Sequence, residues 1–133
     1  MSNTINSPTT PTVLIVDDNA DAADTLALLF AHLACEPAVA YSGADALLLG
    51  SSLQPDLVLL DLGMPGMDGF ETARRIRETQ WGKAIRIAAV TAWGDNATRA
   101  RIAAAGMDAH HVKPLSIEEI AGIVNSLTTE PGS

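Results

Sequence analysis

Residues 12–19 read Thr12-Val13-Leu14-Ile15-Val16-Asp17-Asp18-Asn19, an unbroken apolar, β-branched run that stops at two carboxylates. A run with no polar residue in alternation suits a strand covered on both faces, as the strands of a parallel sheet are. The pattern returns twice: Leu57-Val58-Leu59-Leu60 is followed by Asp61, and Ile87-Ala88-Ala89-Val90 by Thr91. Glu36-Pro37-Ala38-Val39-Ala40 carries a proline, which lacks an N–H to give a sheet and confines that strand to an edge. Asp108-Ala109-His110-His111-Val112 is the least apolar run and suits the opposite edge.

Helical patterns fill the gaps. Leu26, Leu29, Phe30 and Leu33 make one stripe at i, i+3, i+4, i+7, and Ile117, Ile120, Ala121 and Val124 make another. Ser42 with Asp45, Asp68 with Glu71, and Ser116 with Glu119 have the spacing of capping boxes. Asp95 caps an Ala-rich segment that ends near Gly106, a residue suited to a left-handed stop. The chain therefore alternates strand and helix five times. Parallel strands need such crossovers, and right-handed crossovers give an open α/β sheet with helices on both faces.

The length of 133 residues suits one domain. An apolar fraction of 47% with 18% charged residues fits a globular chain. Residues 1–11, rich in Ser, Thr, Asn and Pro, read as a flexible N-terminal segment, 12–127 as the globular domain and 128–133 as a C-terminal tail. The net charge of −8 opposes direct contact with nucleic acid or anionic membrane. The single Cys35 can form no internal disulfide and suits a buried apolar position in a reducing compartment. No run reaches the roughly 18 apolar residues a membrane span needs, and the N-terminus lacks a signal-peptide pattern.

The residues directly after the strands are the chemically interesting ones. They are Asp17 and Asp18, Asp61, Thr91, and Lys113 with Pro114. In an open parallel sheet these positions share the carboxyl edge, where ligands of such folds bind. Taken singly, each has a plain reading: helix caps for Asp17 and Asp18, a turn residue for Asp61, a backbone hydrogen-bonder for Thr91, a surface charge for Lys113. Taken together, three carboxylates and one ammonium leave about two negative charges, which invites a divalent hard cation with oxygen ligands. Mg²⁺ keeps open coordination for a phosphoryl oxygen, Lys113 and Thr91 would flank the remaining oxygens, and a central carboxylate can act as nucleophile.

Asp17-Asp18-Asn19, Asp61-Leu62-Gly63-Met64-Pro65-Gly66-Met67-Asp68-Gly69, Val90-Thr91-Ala92 and Val112-Lys113-Pro114 together resemble the receiver domain of two-component response regulators. The likeness runs from about Thr12 to Leu127. It implies a flavodoxin-like (βα)5 three-layer sandwich with a parallel five-stranded sheet in the order 2-1-3-4-5. It implies that Asp61 is the phosphoacceptor, that Asp18 binds Mg²⁺ directly with Asp17 acting through water, and that the Gly63 carbonyl is a further ligand, with Mn²⁺ as a substitute ion. Thr91 matches the switch hydroxyl and Lys113 the lysine that pairs with the phosphoryl oxygen, its bond to Pro114 being cis. The partners implied are a histidine kinase or phosphotransfer protein as donor and a protein target on the face of the fourth helix, fifth strand and fifth helix, with a homodimer through that face as a further expectation. The chain would be a cytoplasmic phosphorelay component, not an enzyme beyond its own phosphorylation and dephosphorylation. With no DNA-binding module after Leu127, its output would pass through another protein.

Two departures from the family pattern stand out. The signalling position on the last strand, usually Tyr or Phe, is His110, either a polar switch residue or a partly exposed edge residue. Its neighbour His111 points to the opposite face of a strand, so the two make no metal pair. Gly63 and Trp93 flank the pocket where the family tunes phosphoryl lifetime: Gly63 leaves room for water, and Trp93 is a cover, a partner anchor or packing. Arg74, Arg75 and Arg77 read as a solvated helix face, with His32 exposed, and Met64, Met67, Gly66 and Gly69 read as local packing and loop geometry. The first-helix region Asp17 to Asp24 also resembles receivers appended to hybrid histidine kinases, which sets that context beside a free-standing regulator. A dehalogenase-type phosphatase would need a second Asp two residues after Asp61, where Gly63 stands. A degenerate receiver would have lost an acid or the lysine, and a nucleotide-binding protein would carry a glycine-rich loop after the first strand.

Overall fold

The computed structural model describes residues 10–64 and 68–128. Most of the expected terminal segments, together with Gly66 and Met67, lie outside the described residues. Five strands, β1 (Thr12–Val16), β2 (Glu36–Ala40), β3 (Leu57–Asp61), β4 (Arg86–Thr91) and β5 (Ala109–Val112), alternate with five helices. The helices are α1 (Ala20–His32), α2 (Gly43–Leu53), α3 (Gly69–Glu78), α4 (Asn96–Ala104) and α5 (Ile117–Thr128). The sheet is parallel throughout, in the order β2-β1-β3-β4-β5. The proline-bearing strand and the least apolar strand are its two edges, as their sequences require.

Successive strand residues point to opposite faces, and both faces here are dry, which is why the central strands read as continuous apolar runs. Leu14, Val16, Val58, Leu60, Ile87 and Ala89 pack on one side with Phe70, Ala73 and Ile76 of α3 and Ile102 of α4. Val13, Ile15, Leu57, Leu59, Ala88 and Val90 pack on the other with Phe30 of α1 and Ile120, Ile123 and Val124 of α5. Cys35 is buried in this second layer. Each fully buried Leu, Ile or Phe contributes roughly 1.5–3 kcal/mol, so these two layers set the register that brings Val16 beside Leu60, Asp61 beside Val90 and Thr91 beside Val112.

The helix starts follow the local signals. Ser42, Asp68 and Asp95 accept N–H bonds from Asp45, Glu71 and Thr98. Ser116 and Glu119 form a reciprocal box, each side chain taking the other's backbone N–H at 3.0 Å. Gly106, after α4, has φ +88°, the left-handed stop expected there.

Arg77 corrects one expectation. Instead of lying on a solvated face with Arg74 and Arg75, its side chain is only 20% exposed. It donates to the carbonyls of Gly106 (2.9 Å), Gly82 (2.9 Å) and Ile85 (2.6 Å) and pairs with Asp108 at 2.8 Å. Asp108 in turn accepts the N–H of Ile87 at 2.9 Å, so one guanidinium ties α3 to the segments that enter β4 and β5. Arg74 and Arg75 are exposed and share Glu71, as a solvated helix face would.

Candidate functional site

Backbone bonds at the carboxyl edge tie the ends of all five strands to a neighbour. The Asp17 N–H donates to Ala40 at 3.1 Å, Leu62 N–H to Val90 at 3.1 Å and Lys113 N–H to Thr91 at 2.8 Å. Asp17, Asp61 and Thr91 are thereby buried polar residues at 4–5% exposure, while Asp18 is exposed. One carboxylate oxygen from each of Asp17, Asp18 and Asp61 lies within 4.8 Å of the others, the one such cluster of metal-ligating side chains among the described residues. Lys113 Nζ sits 3.1 Å from Asp61 Oδ1, and the same oxygen accepts the Gly63 N–H at 3.1 Å. The Lys113–Pro114 bond is cis.

The plain reading of Asp17 and Asp18 as helix caps does not describe them. Asn19 caps α1 by accepting from Ala22, and Asp17 Oδ1 holds Asn19 in place through its N–H at 2.9 Å. Burial, and after it the charge of Asp61, push the Asp17 carboxyl above its ordinary value, against the Asn19 N–H and Lys113. A buried carboxylate penalised in this way is relieved by a cation, so the donor set fits a hard divalent ion. At Gly69, the first residue of α3, a side chain would place its Cβ 2.6 Å from the Asp61 carbonyl oxygen. The close passage of α3 behind the central acid thus depends on glycine.

The acids open into a cavity of about 590 Å³ that Gly63, Thr91, Trp93, Phe70, Arg101 and Lys113 also line. Thr91 Oγ1 accepts the Trp93 N–H at 3.1 Å. The Trp93 side chain is 69% exposed, which removes simple packing from its three readings. Among the described residues a Cβ at Gly63 would meet only Asp61 Oδ1, at 3.8 Å, an ordinary contact distance. A larger hollow of about 980 Å³ lies at the other end of β4 and β5, lined by Arg77, Arg86 and Asp108, and holds no comparable acid cluster.

His110 pairs in register with Ala89 and is half-buried, and its Nε2 is buried with no hydrogen-bond partner among the described residues. His111 lies 3.5 Å from Glu119 on α5. Two contacts escaped sequence reasoning: the Arg77 clasp, and Arg101 on α4 stacked 4.0 Å over the Phe70 ring. No local spacing announces either, because the partners are some 30 residues apart in the chain.

A doubly wound parallel sheet with three acids, a buried threonine and an acid-paired lysine on its carboxyl edge defines an α/β domain with one polar site. The chain belongs to the response regulator receiver domain family, whose model matches residues 13–125. It is 38% identical over 115 residues to the transcriptional regulatory protein ResD of Bacillus subtilis strain 168, covering 86% of this chain and 47% of ResD. The chain spans about half the length of the curated relatives it matches. The chemotaxis response regulator CheY4 of Vibrio cholerae has the same fold, with a TM-score of 0.83 over 90% of this chain and 99% of that one at 24% identity. The signal receiver domain of a signal transduction histidine kinase from Syntrophus aciditrophicus superposes with a TM-score of 0.80 at 25% identity, covering 93% of this chain and 98% of that one. The flavodoxin-like architecture in the order 2-1-3-4-5 is thus shown. Among the described residues no helix is long and apolar enough to cross a membrane.

Proposed function

We propose that the domain accepts a phosphoryl group on Asp61 from a histidine kinase or phosphotransfer protein and signals the modification to a protein target. The observation that carries this reading is the Lys113–Asp61 contact of 3.1 Å inside a three-carboxylate cluster, with Asp17 and Asp61 buried and Asp18 exposed, on the wall of a cavity that Gly63 also lines. The Asp61 carboxylate attacks phosphorus as the bond to the donor nitrogen breaks. Lys113, displaced from the acid it now neutralises, pairs with a phosphoryl oxygen, and the Thr91 hydroxyl moves toward another. Asp17, Asp18, Asp61 and the Gly63 carbonyl would hold Mg²⁺, with Mn²⁺ able to replace it. When bound, that ion supplies charge neutralisation for the transferring group.

The signalling step is a population shift driven by a local charge change. Trp93, Val112 and Ile117 are 69%, 40% and 66% exposed on or beside α4, β5 and α5, which suits that face for the target. In this reading His110, on the same strand, couples Thr91 to that face. A cytoplasmic setting agrees with the free, buried Cys35. The domain turns over no substrate other than its own phosphoryl group.

Acetyl phosphate with Mg²⁺ is expected to add a single phosphoryl mass to the protein, read by intact-mass spectrometry, and Asp61→Asn to abolish it. Equal labelling of the variant would overturn the assignment. Lys113→Ala is expected to impair signalling more than metal binding, and equal loss of both would contradict its role.

A further inference from the structure

The cavity over Asp61 is lined by Asp17, Asp18, Asp61 and Asp68, and among the described residues by two cations, Lys113 and Arg101. Lys113 is committed to Asp61. Arg101 is not committed to any acid: among the described residues its guanidinium makes no ion pair, and its one specific contact is the ring of Phe70, 4.0 Å from the centroid. The ring, itself only 7% exposed, braces one face of the guanidinium. A stacked guanidinium keeps its in-plane N–H donors available, and those donors match the two oxygens of a carboxylate. Glu71, next to Phe70 in the chain, is already shared by Arg74 and Arg75.

An anionic phosphodonor approaching Asp61 thus meets a wall of carboxylates with one unspent cation. We propose that Arg101 is a donor-binding residue that assists transfer from small acyl phosphates more than transfer from phosphoramidates, the P–N donors of the kinase reaction included. This rests on Asp61 being the phosphoacceptor. In transfer from an acyl phosphate, the Asp61 oxygen bonds to phosphorus as the bond from phosphorus to the acyl oxygen breaks. The electron pair leaves on a carboxylate, and no proton is required. The acyl phosphate enters with about two net negative charges, against about one for the N-protonated phosphoramidate, and its departing group leaves as an anion, so a cation in the same cavity acts on the acyl donor at both stages. In transfer from a phosphoramidate, nitrogen leaves as a neutral amine carrying its own proton, and a guanidinium has no anion to receive. The cavity of about 590 Å³ that Asp61, Gly63 and Arg101 line has room for a small donor.

The test compares wild type, Arg101→Gln and Arg101→Lys in labelling by acetyl phosphate and by phosphoramidate with Mg²⁺ present, followed by intact-mass spectrometry. Losing a charge-assisted contact predicts that Arg101→Gln slows labelling by acetyl phosphate about five- to tenfold but that by phosphoramidate by less than about twofold. Arg101→Lys is expected to fall between, because an ammonium keeps the charge without the fork. Added salt should slow wild type with acetyl phosphate more steeply than Arg101→Gln. Equal losses with both donors would assign Arg101 a structural role and overturn the proposal, as would unchanged rates with acetyl phosphate. If wild type takes label from neither donor nor from a cognate kinase, the phosphoacceptor reading itself falls. Label on wild type with Arg101→Gln unaltered sinks the Arg101 assignment alone.

Discussion

The His110 ring shows what a single polar atom does in a sheet. Ala89 across the ladder is fully buried in the layer that α3 and α4 cover, and His110 shares that side by register. Its Nε2 is out of solvent and unpartnered among the described residues. A buried polar group without a partner costs about 1–3 kcal/mol. Replacing it with a ring of similar size and no nitrogen should recover part of that. His110→Phe is therefore expected to raise the unfolding free energy by about 1 kcal/mol in urea titrations at neutral pH. A loss of similar size would show that the nitrogen has a partner in solution. Phe is one of the two residues the family pattern favours at this position, so the variant separates the stability cost of the histidine from any effect on switching. His111 next door pays no such cost, since the strand turns it to α5 and Glu119.

At the scale of elements, two devices of different reach hold the helices. The box of Ser116 and Glu119 is local, and Ser116→Ala should cost about 1 kcal/mol. The Ser116 N–H first, and then His111, hold the Glu119 carboxyl below its ordinary value. A carboxylate depressed in the folded state gives stability that is present above its unfolded value, near 4.5, and is lost as pH falls through the folded value. Urea midpoints measured across acidic pH should therefore decline less in Glu119→Gln than in wild type, and an identical decline would remove Glu119 from the account. Arg77 is the long-range device. Removing it leaves the carbonyls of Gly82, Ile85 and Gly106 without their guanidinium donors and Asp108 without its cation. Arg77→Leu is expected to lower stability by about 2–3 kcal/mol, whereas Arg74→Leu, on an exposed pair, should change it by less than about 0.5 kcal/mol.

The same contrast explains what could be read before any coordinates. Caps were legible because a Ser or Asp and the N–H it bonds are three residues apart. The strands were legible because burial on both faces leaves no polar residue in the run, and the acids at their ends inherit their place from the sheet. Arg77 was misread because its neighbours Arg74 and Arg75 are solvated, and the carbonyls that capture it come from segments up to 29 residues away. Arg101 gave no signal at all, since Phe70 lies on another helix.

Across the whole molecule, charge is distributed unevenly. Residues 1–73 contain ten Asp and Glu and no Lys or Arg, and all eight cations fall between Arg74 and Lys113. All three members of the acid cluster lie inside the uncompensated stretch, Asp17 and Asp18 directly after β1 and Asp61 at the end of β3, and Lys113 brings the countercharge from just beyond the last strand. Folding therefore concentrates negative charge at the carboxyl edge before any ligand arrives. A cation that binds the folded cluster and not the unfolded chain must stabilise the fold, by about 2.7 kcal/mol at a hundred times its dissociation constant. Thermal unfolding in chelator against millimolar Mg²⁺ is expected to show a rise in Tm that saturates. NaCl at matched ionic strength should give a smaller rise without saturation, because screening acts on the whole acidic half and not on one site. Asp18→Asn should remove most of the Mg²⁺ response, while Asp45→Asn, an acid of the same half outside the cluster, should keep it. Equal responses in the two variants would mean that the ion only screens the acidic half, and the cluster would lose its standing as a metal site.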